Sequence, residues 1–229
     1  MAASAKSNSV DGSILPGDGM SEQRAERLRV AVLISGRGSN MVSLIEAAKA
    51  VDYPAAIVLV ISNNPDAAGL AYAREAGIPT AVVDHGPFQE NRTAFEQALD
   101  AQLDAHRIDL LCLAGFMRLL TADFVRRWSG RMLNIHPALL PQFKGLHTHR
   151  RALEAGAREH GATVHFVVPE MDSGPIVLQG SVPVREGDTE ETLARRVLEV
   201  EHRIYPQALR MVAEGRAKFA AADETGTAR

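Results

Sequence analysis

The sequence predicts an α/β protein with a Rossmann-like, mainly parallel twisted sheet that is flanked by helices. Two patterns support this fold class. Short apolar runs alternate with helical patterns from residue 28 to residue 135, which is typical of β-α-β units and a parallel sheet. A pair of strand-like runs and a final helical pattern follow from residue 161. We therefore expect a C-terminal strand pair and a closing helix to complete the domain.

The first part of the chain is predicted to alternate between strands and helices. We predict five strands, at residues 28–34, 55–61, 79–83, 109–114 and 131–135. We predict helices between them, at residues 39–50, 67–76, 88–106 and 121–128. The last of these helices has Thr121 as a plausible N-cap, because a threonine hydroxyl accepts from free N–H groups at a helix start.

The later part of the chain has a different pattern. The runs at 161–168 and 175–184 are joined by a short loop at 169–174, which suits either an antiparallel pair or a long excursion that extends the sheet. Asp188, with Glu191 three residues later, resembles a capping box. A closing helix over one face of the sheet is predicted by four apolar residues at helical spacing, Leu193, Val197, Val200 and Ile204.

Length and composition indicate one globular domain with a tail at each end. We interpret residues 1–27 as a disordered leader, 28–215 as the folded domain and 216–229 as a flexible tail, because the two ends lack a periodic apolar face. The chain has a formal net charge of −3 and one cysteine, Cys112, in an apolar run. It contains neither a membrane-length apolar stretch nor a signal-peptide pattern. We expect a cytoplasmic protein with no nucleic-acid or membrane partner, and the oligomeric state stays open, a homodimer included.

A glycine loop between the first strand and the first helix is the first candidate site. Residues 35–40 read SGRGSN. Glycines let the backbone approach a ligand, and the free N–H groups of the helix start favour an anion. The alternative is a tight turn with Ser39 as a helix cap. A dinucleotide site is disfavoured because Met41 stands where a third glycine or alanine is expected.

Polar residues at the end of the fifth strand form the second candidate site. Asn134 and His136 are two residues apart in NIHPALLP, so both side chains can face one cavity. A carboxamide donor beside an imidazole suits a reaction through a tetrahedral oxyanion, with the amide stabilising the charge and the imidazole moving the proton. Asp172, on a Gly-Pro turn, is a candidate to orient His136 and favour its charged form. Each of these residues also has a plain structural reading as part of a turn.

A metal site is the weaker interpretation of the remaining histidines. His147 and His149 are separated by one residue, but no cysteine or HExxH pattern accompanies them. A zinc site needs three or four ligands of defined geometry. We therefore expect no metal. His165, beside Phe166 on a predicted strand, fits either the core or the lining of a site.

Six segments, in order, resemble the phosphoribosylglycinamide formyltransferase family of purine biosynthesis. They are ISGRGSN at 34–40, LAGFMR at 113–118, NIHPALLP at 134–141, GLHTH at 145–149, MDSGPI at 171–176 and EHRIYP at 201–206. The resemblance covers residues 28–215 and implies the formyltransferase fold. It also implies a reaction, the transfer of a formyl group from 10-formyltetrahydrofolate, as cosubstrate, to the amine of glycinamide ribonucleotide.

The resemblance implies binding roles for two groups of residues. The substrate phosphate would be held by backbone N–H groups of Gly38, Ser39 and Asn40, with Met41 and Val42 opening the helix behind them. Glu201 would bind the ribose hydroxyls. The folate pocket would be lined by Arg92, Met117, Arg118, Leu119, Leu120 and Asn134.

The resemblance also implies a catalytic trio of Asn134, His136 and Asp172. The amine would attack the formyl carbon directly, without an acyl-enzyme. Asn134 and protonated His136 would stabilise the oxyanion, and Asp172 would support the charged imidazole.

Three alternatives remain at this point. Methionyl-tRNA formyltransferase shares the Asn-x-His-Pro pattern, but that family is longer and carries a C-terminal barrel, whereas about 15 residues follow the predicted closing helix here. Formyltetrahydrofolate deformylase carries an N-terminal regulatory domain and lacks this glycine loop. A non-catalytic nucleotide-binding module would bind ligand without formyl transfer.

Overall fold

A seven-stranded sheet forms the centre of the computed structural model, which describes residues 27–89 and 91–220. The strands are β1 (Leu28–Ile34), β2 (Ala55–Ser62), β3 (Thr80–Val82), β4 (Leu110–Leu113), β5 (Met132–His136), β6 (Glu159–Phe166) and β7 (Ile176–Pro183). The helices are α1 (Ser39–Ala48), α2 (Gly69–Glu75), α3 (Arg92–Ala105), α4 (Ala122–Arg127), α5 (Thr148–Glu154) and α6 (Glu190–Ala213). The predicted fold class is confirmed.

The strand order is β3-β2-β1-β4-β5-β6-β7. The first five strands pair in parallel, and β6 and β7 extend the sheet in antiparallel pairs. Of the two arrangements left open for the later strands, the antiparallel pair is therefore the one formed. Strands β2 and β3 lie on one side of β1, and the chain then crosses back to place β4 on the other side, so β1 and β4 mark the point where the strand order reverses. In open α/β sheets, ligands bind in the crevice at that point, outside the carboxyl ends of the strands.

Two hydrophobic cores cover the two faces of the sheet. On one face, α1, α2 and α6 pack through residues such as Leu44, Leu70 and Ile204. On the other face, α3 and α4 pack through Phe95 and Phe124. The strands β1 and β4 are buried on both faces, which is why their sequences are continuously apolar rather than alternating. Cys112 lies in β4 and is fully buried, as its apolar surroundings predict.

Side-chain caps explain where two helices begin. The Thr121 side chain accepts a hydrogen bond from the backbone N–H of Phe124, so the predicted cap of α4 is confirmed. The predicted start of α3 at residue 88 is too early. Asn91 caps that helix by accepting from Ala94, and an asparagine side chain satisfies a free N–H group best from a non-helical position.

The start of α6 corrects the predicted capping box. The N-cap is Thr189, whose side chain accepts from Thr192 N–H, while the Thr192 hydroxyl accepts from Thr189 N–H. Asp188 instead accepts two hydrogen bonds from the Arg196 guanidinium, at 2.8 and 2.5 Å, and these bonds lower the pKa of the Asp188 carboxyl. The aspartate is thus held by a longer-range ion pair that local spacing does not reveal.

One helix was not predicted, and most of the predicted leader and tail lies outside the described residues. The helix α5 begins at Thr148, inside the GLHTH segment, where no helix was predicted. Residues 1–26 of the predicted leader and 221–229 of the predicted tail lie outside the described residues. Within the start of the predicted tail, Phe219 packs edge-on against Phe166, with ring centroids 5.6 Å apart. Among the described helices, none has the length and apolarity that crossing a membrane requires.

The capping box at α6 gives a direct test of local stability. Replacing Thr189 with alanine removes the acceptor for the first turn, so we expect the free energy of unfolding to fall by about 1 kcal/mol. Urea denaturation monitored by circular dichroism measures this change. Thr189→Ser keeps the acceptor and is the matched control. Equal losses for both variants would contradict a capping role.

Candidate functional site

A crevice opens at the carboxyl ends of β1 and β4, where the strand order reverses. Its volume is about 320 Å³. It is lined by two loops, with Ser35, Gly36, Arg37, Gly38, Ser39 and Asn40 on one side and Ala114, Gly115 and Met117 on the other. The glycine loop and part of the predicted folate-lining segment therefore share one cavity.

The glycine loop leaves the start of α1 without a side-chain cap. Gly38 is the N-cap residue, with φ 70°, and no side chain accepts from the first turn. The alternative in which Ser39 caps the helix is therefore wrong, because Ser39 is already the first helical residue. A Cβ at Gly38 would lie 3.3 Å from the Met41 methyl group and 3.4 Å from the Gly69 Cα. Glycine is thus favoured by both conformation and space, and the free N–H groups suit an anion.

Ser35 joins the glycine loop to the loop after β4. Its hydroxyl donates to Asn63 Oδ1 at 2.5 Å and accepts from the backbone N–H of Met117 at 2.8 Å. The sequence placed Ser35 in the glycine loop but did not predict its contacts with Asn63 and Met117, because those contacts depend on the order of the strands. The bond between Ser35 and Met117 links the two walls of the crevice directly.

The predicted ribose-binding residue also meets the glycine loop. Glu201, on α6, is buried, and its carboxylate accepts from Asn40 Nδ2 at 2.5 Å. Burial raises the pKa of Glu201, and the Asn40 bond opposes that rise. Met41 is fully buried beneath the loop, and Val42 is half-buried in the first turn of α1. Residues 38–42 thus form one continuous segment, and Glu201 contacts it through Asn40.

The predicted folate-lining segment, residues 117–120, is partly exposed beside the crevice. Met117 and Leu119 are among the most exposed large apolar side chains. Arg118 turns away, donating to Gln89 O at 2.7 Å and lying over the Phe95 ring. Leu120 is half-buried against the core formed with α3 and α4.

The predicted folate residue Arg92 lies apart from residues 117–120 in the chain. Arg92 is the exposed first residue of α3. Further along α3, the buried Glu96 accepts from both the backbone N–H and the hydroxyl of Thr121, so α3 anchors the end of the 117–120 segment. Within residues 27–89 and 91–220, the structure shows no hydrogen bond between Arg92 and that segment.

The predicted trio comes together at the end of β5. Asn134 and His136 alternate with Ile135, so they face the same side of the sheet. Asp172 lies in the loop before β7, and its Oδ2 is 3.4 Å from His136 Nδ1. Both side chains of this pair are about nine-tenths buried, so their interaction is poorly screened by water.

The loop contacts around His136 and Asp172 hold the pair in place. His136 Nε2 donates to the carbonyl of Phe143 at 3.0 Å, and the N–H of Gly145 donates to Asp172 Oδ2 at 2.8 Å. Both imidazole nitrogens thus face oxygen acceptors, an arrangement that suits a doubly protonated ring. Asp172 has φ 51°, a conformation that aspartate adopts more readily than most residues.

His165 lies in the same cluster, a placement that the sequence left open. It pairs across the sheet with Asn134, and its Nε2 is 3.3 Å from Asn134 Nδ2. Its Nε2 is also 3.8 Å from Asp172 Oδ1. Burial lowers the pKa of His165, and hydrogen bonding to Phe166 and the charge of Asp172 oppose that effect. His165 therefore lines the site.

A second histidine pair lies behind the site. His160 is fully buried, with its ring edge-on to both His149 and Phe143. The pKa of His160 is lowered to about 4, first by burial and then by repulsion from His149 and His136. Burial also lowers the pKa of His149. Within residues 27–89 and 91–220, the acidic, histidine and cysteine side chains form no group of three or more that is arranged to hold a metal ion.

A model of the formyl transferase family matches residues 28–209, most of the chain. The chain belongs to the formyl transferase family. The match covers every strand and all but the end of α6, so the glycine loop and the Asn134 cluster both lie within the shared domain.

Individual members of the formyl transferase family are similar over the same region. The phosphoribosylglycinamide formyltransferase of Escherichia coli is 47% identical over 84% of this chain and 90% of its own. The trifunctional purine biosynthetic protein adenosine-3 of Bos taurus is 52% identical, over 83% of this chain, which spans about 19% of that longer protein. A crystal structure of phosphoribosylglycinamide formyltransferase from Brucella melitensis superposes with a TM-score of 0.79 and 52% identity, covering 85% of this chain and 100% of that one.

The buried His160 predicts that the stability of the protein is sensitive to acid. Because the pKa of His160 is lower in the folded state, the free energy of unfolding has its full value above the unfolded pKa of 6.5, where the ring is neutral in both states. That stability is lost as the pH falls from 6.5 toward about 4. Replacing His160 with leucine should reduce the slope of unfolding free energy against pH by up to about 1.4 kcal/mol per unit in this window.

Urea unfolding at several pH values between 7 and 4 measures the slope. Phe143→Leu disturbs the same ring contact without removing a titrating group, so its slope should equal that of the wild type. A His160→Leu protein with the wild-type slope would contradict the lowered pKa.

Proposed function

We propose that the chain transfers a formyl group from 10-formyltetrahydrofolate to the amine of glycinamide ribonucleotide. The observation that carries this proposal is the cluster of Asn134, His136 and Asp172 at the end of β5. Strand β5 pairs with β4, whose following loop shares a crevice with the uncapped glycine loop. The chain's similarity to phosphoribosylglycinamide formyltransferase of Escherichia coli, over 90% of that protein, supports the choice of substrate. Two small molecules, rather than a macromolecule, are then the partners.

The glycine loop is proposed to bind the phosphate of the amine substrate. The N–H groups of Gly38, Ser39 and Asn40 are available because no side chain caps α1, and the helix dipole favours an anion there. Glu201, held by Asn40, is next to this loop and suits the donors of ribose hydroxyl groups. The amine of the substrate would then extend along the crevice toward β5.

The folate is proposed to lie against the loop after β4. Met117 and Leu119 offer exposed apolar surface for a flat ring. Main-chain groups of residues 117–120 would offer hydrogen bonds, apart from the Met117 N–H, which donates to Ser35. Arg92, exposed on α3, suits the carboxylates of the folate tail. Leu120 and the Arg118 guanidinium would support the loop from behind, because Leu120 packs in the core with α3 and the guanidinium lies over the Phe95 ring of α3.

The reaction joins the amine to the formyl carbon in one addition and one elimination. The amine lone pair forms the new C–N bond, and the C=O electron pair moves to oxygen to give a tetrahedral oxyanion. The oxyanion then re-forms the carbonyl as the bond to folate N10 breaks. The proton lost by the amine goes to N10, so no oxidant, reductant or metal is required.

Asn134 and His136 are proposed to stabilise the oxyanion. Because Nδ1 of His136 is directed at Asp172, the N–H available to the formyl oxygen is the one on Nε2. In the structure the Phe143 carbonyl accepts from that nitrogen, so the formyl oxygen would take its place on binding. Asp172 stabilises the charged imidazole by its proximity, and His136 can pass the proton onward.

A set of three acceptors tests the substrate assignment. Purified protein is incubated with 10-formyltetrahydrofolate and either glycinamide ribonucleotide, water alone or methionyl-tRNA, and release of tetrahydrofolate is followed. We expect turnover with glycinamide ribonucleotide only. Turnover with water alone would favour a deformylase, turnover with methionyl-tRNA would favour the tRNA enzyme, and none at all would favour a binding module.

Replacing Asn134 with alanine tests the oxyanion assignment. Loss of one oxyanion donor should lower kcat by roughly 10²–10³-fold, with little change in the melting temperature. His136→Ala should lower kcat at least comparably. Steady-state kinetics with both substrates measures these effects, and near-normal turnover in either variant would refute the proposed mechanism.

Replacing Gly38 with valine tests the phosphate assignment. The side chain would strain a residue at φ 70° and crowd the Met41 methyl group, which displaces the N–H groups from the phosphate. Each charge-assisted hydrogen bond lost is worth roughly 1.5–3 kcal/mol, so KM for the amine substrate should rise at least about tenfold. Titration with a folate analogue is the control, because residues 117–120 come from another segment. Equal losses for both ligands would contradict the assignment.

A further inference from the structure

His165 lies against Asn134 without belonging to the predicted trio. The two residues are directly opposite each other in the antiparallel pairing of β5 with β6. His165 is only 2% exposed, so it is held by its strand and has no access to bulk water. Its imidazole therefore has a fixed position relative to the Asn134 side chain.

The contacts of His165 select one tautomer. Nδ1 is 2.9 Å from the carbonyl oxygen of Phe166, and a carbonyl only accepts, so the proton must be on Nδ1. Burial disfavours the charged ring and lowers the pKa of His165. A neutral ring with a proton on Nδ1 has a bare lone pair on Nε2, and Nε2 is the nitrogen that faces Asn134.

The bare nitrogen determines which way the Asn134 amide points. An asparagine amide can rotate by half a turn and exchange its oxygen and nitrogen with little change in shape. With Oδ1 toward His165 Nε2, two lone pairs would face each other. With Nδ2 there, at 3.3 Å, one N–H donates to the ring and the second remains for another acceptor.

The same tautomer of His165 leaves the Asp172 carboxylate to interact with His136. Asp172 lies between two imidazoles, with Oδ2 3.4 Å from His136 Nδ1 and Oδ1 3.8 Å from His165 Nε2. Since His165 has no proton on Nε2, it makes no hydrogen bond to the carboxylate. Gly174 allows this close grouping, because a Cβ there would lie 1.8 Å from the Phe166 carbonyl oxygen that accepts from His165.

We propose that His165 is a positioning residue, which as the neutral Nδ1–H tautomer orients the Asn134 amide so that one N–H is free to stabilise the oxyanion. This inference rests on the proposed function. His165 does not touch the reacting atoms in this scheme and acts only through Asn134.

A double-mutant cycle separates this role from a general structural one. His165→Leu removes the acceptor while keeping an apolar volume, so kcat should fall roughly tenfold or more, within the limit set by Asn134→Ala, with KM values nearly unchanged. In the Asn134→Ala background, His165→Leu should change kcat by less than about twofold, because nothing remains to be oriented. The same loss in both backgrounds would overturn the proposal.

Two further variants control for structural damage. Val164 lies on the same strand, but its side chain packs in the core with α6. If Val164→Ala lowers kcat, the loss should be the same in the wild type and in the Asn134→Ala background. His165→Gln places a side-chain oxygen near the position of Nε2 and should recover at least about half of the lost turnover. A glutamine variant no more active than the leucine variant would contradict an acceptor role.

Nitrogen-15 NMR of the histidine rings tests the tautomer without relying on activity. At pH 7 we expect His165 to carry its proton on Nδ1 and none on Nε2, and the side-chain amide signals of Asn134 to shift in His165→Leu. A protonated Nε2 would overturn the proposal even in a fully active enzyme. A wild type without formyl transfer would refute the proposed function, while the NMR result would still decide the orientation of the amide.

Discussion

The parallel pairing of β1 with β4 is the constraint on which the site depends. Both strands are buried on two faces, and their side chains contribute to both cores. With apolar residues throughout, the chain has to place its polar groups where each strand ends. The two loops that follow, at 35–40 and 114–117, consequently lie side by side and enclose the crevice. Ser35 then links them with one hydroxyl, bonded to Met117 N–H.

Two residues of the candidate site come from the antiparallel strand β6 and from its connection to β7. It brings His165 opposite Asn134, and its connection to β7 brings Asp172 beside His136. Low exposure makes these contacts strong, since an unpaired polar group away from water is costly. Two histidines in the cluster thus have different environments. His136 has acceptors at both nitrogens, whereas His165 has an acceptor at one nitrogen and a donor at the other.

Much of the fold and the site was predictable because it depends on local patterns. The strands follow from apolar runs, and β1 has the predicted bounds of 28–34. Asn134 and His136 share a face because strand geometry has a period of two. The predicted starts of α3 and α6 were wrong where a single side chain, rather than the apolar pattern, fixed the first turn. Asn91 and Thr189 became caps, and Asp188 formed an ion pair with Arg196, eight residues away.

The sequence by itself determined the class of fold, the family and the residue types of the candidate site, because periodicity and short motifs are encoded locally. Tertiary structure alone decided which of those residues meet. The register of β5 against β6 made His165 the partner of Asn134, and the strand order joined Ser35 to Met117. Local spacing carries no information on such contacts, because they are fixed by how buried strands pack and by which polar groups must then satisfy one another.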